Sequence, residues 1–406
     1  MQSSNRTRER HMAPSLSSPS NAAARHPWLA VVAVGLATFC VVTTEMLPVG
    51  LLTSVAQALH TSTGTAGLML SLPALLAALF APLVVIVAGG TDRRHILGAL
   101  LGLLVLANLA SALAPGMGWM LAARVLVGLC MGGIWAIAGG LAVRLVPAQA
   151  VGLATSIVFG GVAAASVAGV PLGALIGELA GWRWAFGAMA LLSGLALLFL
   201  LAVVPALPAA RSASLGQFGV QLGRRRLQAG LLLTLLLVAG HFMAFTFVRP
   251  LLLSWSGFDA RWIGGLLLTY GIAGIAGNFL AGLAAARWTV WTAAAIALGL
   301  ALTPLLFLAI GRSGPGAGLA LLVWGLAYGG VSVGLMAWMA AAAPDAVEIA
   351  AALYVGVFNI GIALGSWAGG QAIDAWGLQA NLWLAAGLAG LAFLLAIGVG
   401  RQARAP

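Results

Sequence analysis

Charge is what this chain has least of. Aspartate, glutamate, lysine and arginine together make up 7% of its 406 residues, and lysine is missing altogether. A soluble domain carries about 25% charged residues, so a water-exposed globular fold is excluded. Cysteine is nearly missing too. Cys40 and Cys130 both lie in apolar runs, which leaves no disulfide framework and no metal-ligand spacing; they read as small packing residues. The roughly ten-residue alternating segments of a membrane barrel do not occur. There is no GxxxxGK[ST] loop, so ATP is not the driver. No nucleophile–base set or metal cluster is present, which leaves a membrane enzyme without its chemistry. We expect no metal, no cofactor and no enzymatic activity.

What is present is apolar: 62% of the residues are hydrophobic. Long apolar segments recur from end to end, each near the roughly 20 residues that cross a bilayer. Twelve spans are read, at about 28–50, 66–88, 95–114, 117–143, 151–177, 182–205, 227–253, 261–286, 289–310, 317–343, 347–373 and 378–400. The expected fold class is all-α, a polytopic membrane protein of two six-helix bundles. Residues 1–27 lack the pattern of a signal peptide and are expected to form a disordered cytoplasmic tail. The bundles are expected at 28–205 and 227–400, joined by a cytoplasmic linker at 206–226 and followed by a tail at 401–406.

The formal charge of +11 would suit nucleic acid if it were clustered, but it is not. Arg6, Arg8, Arg10, Arg25, Arg93, Arg94, Arg144, Arg211, Arg224, Arg225, Arg226, Arg287, Arg401 and Arg404 fall on one side of a twelve-span protein. Only Arg183, Arg249, Arg261 and Arg312 fall on the other. By the positive-inside rule both termini are cytoplasmic. The charge reports topology; the partners expected are a lipid bilayer, a small-molecule substrate and protons, with no nucleic acid, and the protein is expected to be a monomer.

The halves repeat. Gly128-Leu129-x-x-Gly132-Gly133 recurs as Gly325-Leu326-x-x-Gly329-Gly330, offset by 197, and Pro147 recurs as Pro344. The stretch from Ala66 resembles that from Gly264 at nearly the same offset. A six-plus-six duplication suits a transporter whose site lies between the halves at mid-membrane. Arg124 in the fourth apolar run is the most costly residue of the chain, since a charge in hydrocarbon needs a polar cavity or a partner. Gly128 and Gly132 follow it, and Gly161, Gly169, Gly173 and Gly177 mark the next span beside Pro171. Small residues at four-residue steps let helix backbones touch. Spans four and five are therefore expected to form a pore-lining pair that slides or rocks.

Glu45-Met46-Leu47-Pro48, Thr91-Asp92-Arg93-Arg94, Arg124-x-x-x-Gly128-x-x-x-Gly132 and Gly169-Val170-Pro171-Leu172-Gly173 together resemble the major facilitator superfamily, in its bacterial twelve-span drug and sugar exporter branch. The stretches from Gly132, Arg144, Pro171 and Phe245 are most similar to the purine ribonucleoside efflux permeases, and less so to arabinose-type sugar efflux permeases. The resemblance implies proton-coupled export by alternating access across a bacterial inner membrane. It also assigns gating to Asp92, Arg93, Gly128, Gly132, Gly169, Pro171 and Gly173. Two departures stand out: Ala88 and His95 replace glycines of the loop motif, and Val170 replaces the glycine before Pro171. Sugar or amphipathic-drug efflux is the alternative within the same class. A membrane enzyme or non-transporting receptor is the alternative outside it.

Glu45 lies about seventeen residues into the first span, roughly 25 Å from the inner face, and Arg124 roughly 9 Å below the outer end of the fourth. The two share a depth. Burial and a neighbouring guanidinium pull a carboxyl's proton affinity in opposite directions, so a contact made and broken once per cycle would load and release a proton at Glu45. Arginine stays charged and acts as the switch. His241 is the only histidine inside a span; it reads either as a proton relay or as a hydrogen-bonded packing residue. Arg249 would hold a polar substrate or snorkel to the surface. Trp135, Phe245 and Tyr328 offer aromatic faces, and Asn278 and Asn359 offer amides, the combination a neutral purine nucleoside requires.

Overall fold

A computed structural model describes residues 26–87, 91–207 and 220–402. Residues 1–25, 208–219 and 403–406 of the expected tails and linker, and Ala88, lie outside the described residues. Among the described residues there is no strand. Hydrocarbon offers a backbone no partners, so each span must close its hydrogen bonds internally, as a helix does.

Helices α1 (Pro27–Ala58), α2 (Thr63–Val87), α3 (Arg93–Ala112) and α4 (Met117–Leu145) come first. They are followed by α5 (Val151–Ala180), α6 (Trp182–Val203) and α7 (Arg225–Phe245). Two longer helices follow, Ile263–Ile310 with 48 residues and Val347–Gln402 with 56. At 1.5 Å per residue they would extend about 72 and 84 Å, more than twice the roughly 30 Å hydrocarbon core. Each turns back instead. Trp288 leaves helical geometry at φ −135°, ψ 55°. Gly377 adopts φ 81°, a left-handed conformation that glycine takes without a Cβ clash. Divided there, the chain provides α8 (263–287), α9 (289–310), α11 (347–376) and α12 (378–402), with α10 (Gly314–Ala342) between. Twelve crossings result, as hydropathy indicated.

Chain ends of the helices follow ordinary rules. Asp92 caps α3 by accepting a bond from the Arg94 backbone N–H at 2.9 Å, which places a carboxylate at the positive end of the helix. Gly181 at φ 95° lets α5 pass directly into α6. Leucines such as Leu79, Leu113, Leu191, Leu283 and Leu394 are exposed; in a bilayer that surface meets lipid.

Glycine sets the helix contacts. A Cβ on Gly128 would lie 2.7 Å from the Pro73 carbonyl oxygen, and one on Gly132 2.8 Å from that of Ala77, so α4 lies directly on α2. In the second half, Gly325 sits against the Tyr270 carbonyl and Gly329 against that of Gly274, placing α10 on α8. All four partners are related by the offset of 197 read in the sequence. On α5, Gly161, Gly169, Gly173 and Gly177 face Thr38, Thr43, Leu47 and Leu51 of α1. The glycines of α4 and α5 therefore do not join those helices into a sliding pair. Each set fixes its helix to a neighbour within the first half.

Replacing Gly128 by alanine drives a methyl group into backbone atoms of α2 that cannot rotate away. Overpacking of this kind costs about 1–3 kcal/mol. Thermal unfolding in detergent is expected to fall by several degrees in Gly128→Ala. It should be unchanged in Gly387→Ala, where a Cβ meets nothing within 4 Å.

Candidate functional site between the halves

The site is built on a proline. Pro48 lies inside α1 and has no N–H to give to the carbonyl four residues earlier. That carbonyl belongs to Thr44, and Arg124 Nη1 of α4 donates to it at 2.8 Å. The Thr44 hydroxyl accepts from Asn108 Nδ2 of α3 at 3.0 Å, and the Phe186 ring of α6 covers the guanidinium at 4.9 Å. Four helices thus converge on one cation, whose residue is fully buried.

The cation is under-satisfied. Arg124 Nε and Nη2, Glu45 Oε1 and Asn108 Oδ1 are buried without hydrogen-bond partners. Glu45 is 2% exposed. It lies within electrostatic reach of Arg124, yet no ion pair joins the two. Acid and guanidinium are therefore adjacent and apart, each with free hydrogen-bonding capacity.

Across from them, the second half presents rings. His241 of α7 stacks on Tyr328 of α10 with centroids 3.6 Å apart and planes at 10°. Phe245 stacks on His241 at 4.9 Å and on Tyr270 of α8 at 4.7 Å. Trp324 meets His241, Phe245 and Tyr270 edge-on. Glu45 of the first half is within electrostatic reach of Tyr328 in that cluster.

The halves close on each other at the face away from Pro27 and Gln402. Arg249, beyond α7, is 3% exposed. It donates from Nε to Thr53 Oγ1 at 2.6 Å, from Nη1 to the Gly50 carbonyl at 2.6 Å, and from Nη2 to Ser54 Oγ at 3.1 Å and Glu178 Oε2 at 3.3 Å. Asp374 of α11 accepts from the Gly64 N–H at 3.0 Å and from Ser62 Oγ at 2.5 Å, at the start of α2. One turn of π-helix, Ala165–Gly169, precedes Pro171 in α5, and Gly271 of α8 packs against it, 2.9 Å from the Ser166 carbonyl oxygen by its virtual Cβ.

A twelve-crossing bundle with a buried acid, a buried guanidinium and a closure between halves invites comparison with known proteins. The profile of the Major Facilitator Superfamily matches residues 34–348. The chain belongs to the Major Facilitator Superfamily. It is 34% identical over 365 residues to a protein of Salmonella paratyphi A named purine ribonucleoside efflux pump NepI, covering 90% of this chain and 92% of that one. The protein of the same name from Salmonella typhimurium matches at the same identity and coverage. Among solved structures, a bacterial homolog of the human lysosomal transporter Spinster superposes with a TM-score of 0.76 at 15% identity, over 93% of this chain and 97% of that one. The human organic anion transporter MFSD10 superposes with a TM-score of 0.66 at 20% identity, over 93% and 100%. This is a multi-pass membrane transporter and not an enzyme.

Within this Major Facilitator Superfamily fold the candidate residues separate. Glu45 and Arg124 lie together in the first half, and His241, Phe245 and Tyr328 form one ring cluster in the second. Asn359 lies in α11, buried, with Nδ2 donating to the Val355 carbonyl and Oδ1 unpartnered. Arg249 belongs to the distal closure and not to the rings. Trp135 tilts against Phe159 of α5 at 5.8 Å, and Asn278 is half-buried on α8, both outside the ring cluster. Asp92 also accepts from the Leu207 N–H at 2.8 Å, and Arg94 Nη2 donates to the Leu201 carbonyl; both bonds stay in the first half, and Arg93 Nη1 is buried without a partner. Gly169 and Gly173 face α1, while the Pro171 carbonyl faces Gly264 of α8. On the face of Asp92 and Arg94, Arg224 and Asp345 form a two-pronged pair at 2.6 Å, and their hydrogen bonds hold the Asp345 carboxyl below and the Arg224 guanidinium above their usual pKa ranges. Surface clefts flank Trp288 and Trp291, and Glu45 does not line them. Tyr270, Trp324, Asn108 and Asp374 were not anticipated. Pro48 was the available signal for Thr44, because the free carbonyl always lies four residues before an internal proline.

Pro48→Ala restores an N–H for the Thr44 carbonyl and sets it in competition with Arg124. We expect α1 to tolerate the change and transport to fall roughly tenfold, the effect of about 1.4 kcal/mol. Initial-rate flux in vesicles measures it, and unaltered flux would show that the freed carbonyl is incidental.

Proposed function

We propose that this protein is a proton-coupled antiporter that exports purine ribonucleosides by alternating access. It resides in a bacterial inner membrane with both termini in the cytoplasm and is coupled to inward proton flow. The observation that carries the reading is a buried acid, Glu45, within electrostatic reach of the ring cluster. A carboxyl kept out of contact with Arg124, with a free buried oxygen, is a group that can take a proton when the site rearranges. Arg124 remains charged throughout and favours the proton's release when the two approach.

The rings support the cargo. Flat faces at His241, Phe245, Tyr270 and Tyr328 match a planar base, whose stacking on aromatic side chains is worth about 1–3 kcal/mol. A sugar alone would use these faces poorly. The name borne by the Salmonella relatives points the same way. The excess of arginine at the face of Arg93, Arg144, Arg224 and Arg287 supports the orientation.

Counterflow in proteoliposomes with inosine, arabinose and a lipophilic cation in parallel should show inosine exchange above the other two. An imposed pH gradient should then drive inosine uphill. Glu45→Gln is expected to keep inosine counterflow and lose the pH-driven accumulation. Uphill transport by that variant equal to the parent's would remove Glu45 as the carrier.

A further inference from the structure

His241 is 3% exposed and makes one hydrogen bond. Trp324 Nε1 donates to its Nδ1 at 3.0 Å. An indole nitrogen can only donate, so Nδ1 must present its lone pair, and the neutral ring carries its hydrogen on Nε2. That atom is buried and has no partner. A buried N–H without an acceptor costs about 1–3 kcal/mol, and such orphans in a native structure call for an explanation. The neighbours of the ring present faces and edges to it: it is held between Tyr328 and Phe245, face to face with both, with Phe242 at its edge. Taking up a second proton at Nδ1 would set two N–H groups against each other, so this pairing opposes a role in carrying protons.

From this geometry we infer that Trp324 locks His241 as a neutral hydrogen-bond donor that reads a ring nitrogen of the transported base. Trp324 is a positioning residue; His241 touches the solute. The stacked faces of Tyr328 and Phe245 are where a planar base enters, and a donor lying in the plane of such a stack meets the edge of the base and not its face. The cluster would thus supply stacking without selectivity, and Nε2–H would add selectivity for an acceptor at that edge. This rests on the purine reading above and extends it to one atom of the protein and one class of atom on the cargo.

The experiment has two arms on the full-length protein. In the first, nitrogen-15 spectra of labelled histidine are recorded for the parent and for Trp324→Phe, with His241→Phe identifying the signal among the five histidines. The parent is expected to show a lone-pair Nδ1 and a protonated Nε2; Trp324→Phe should lose that preference. In the second, KM is measured for inosine, 3-deazainosine and 7-deazainosine, whose missing ring nitrogens remove one acceptor each. The parent should show a KM about tenfold higher for one deaza compound, the size of one net hydrogen bond. That penalty should vanish in His241→Phe and shrink in Trp324→Phe. The opposite tautomer, an imidazolium, or equal KM values for all three nucleosides in the parent would overturn the inference. No inosine flux in the parent would defeat the purine reading itself and this inference with it, whereas flux with a penalty unchanged in both variants would defeat this inference alone.

Discussion

Everything in the first half answers to a charge that cannot be removed. Arginine does not deprotonate in proteins, so Arg124 brings a full positive charge into the interior of four helices. Its one hydrogen bond goes to a backbone carbonyl, and that carbonyl is free because Pro48 cannot fill it. The proline, the carbonyl and the guanidinium form a unit in which a local break in α1 creates the acceptor that α4 needs. Asn108 steadies the same residue from α3, and Phe186 provides a cation–π face from α6. One acceptor and one ring leave the cation short of stabilisation, and Glu45 is within electrostatic reach to supply the remainder.

Contacts between the halves add side-chain hydrogen bonds to close glycine approaches of the kind found within each half. Within a half, glycines bring backbones together at α4–α2, α5–α1 and α10–α8, and such interfaces cannot shift without clashes. Between halves, six hydrogen bonds join Arg249 and Asp374 to the opposite side. Each is worth on the order of 1 kcal/mol net. Their sum is comparable to the roughly 5.5 kcal/mol that carries a two-state equilibrium from one side to the other. Rigid halves joined by a closure of that size fit rocking of one bundle against the other. A proton or a bound solute acts on the same energy scale.

Length and hydropathy made the twelve crossings legible, including the two hidden in continuous helices, because a helix of 48 or 56 residues exceeds any bilayer. The repeat was legible because glycine positions at one offset are backbone contacts and tolerate no substitute. Glu45 and Arg124 stood out because ionisable residues within apolar runs are rare. Other features were hidden for physical reasons. A glycine announces a close approach but not its partner, so α4 and α5 were paired with each other when they pack on α2 and α1. Arg249 has the sequence of a substrate ligand, and only three-dimensional packing reveals Thr53, Ser54 and Glu178 around it. Tyr270 and Trp324 carry no mark in sequence, since an aromatic in an apolar helix faces lipid as readily as it faces a cavity.

The division of labour between halves gives the proposed coupling a short path. The first half holds the acid and the fixed cation; the second holds the rings. Tyr328 stacks on His241 and lies within electrostatic reach of Glu45, so anything entering the stack alters the surroundings of the carboxyl directly. A solute that parts the rings brings its own polar atoms and water near Glu45, which favours the charged carboxylate. In the antiport proposed above, solute and proton would compete for one small volume, and competition for a shared volume is sufficient for exchange.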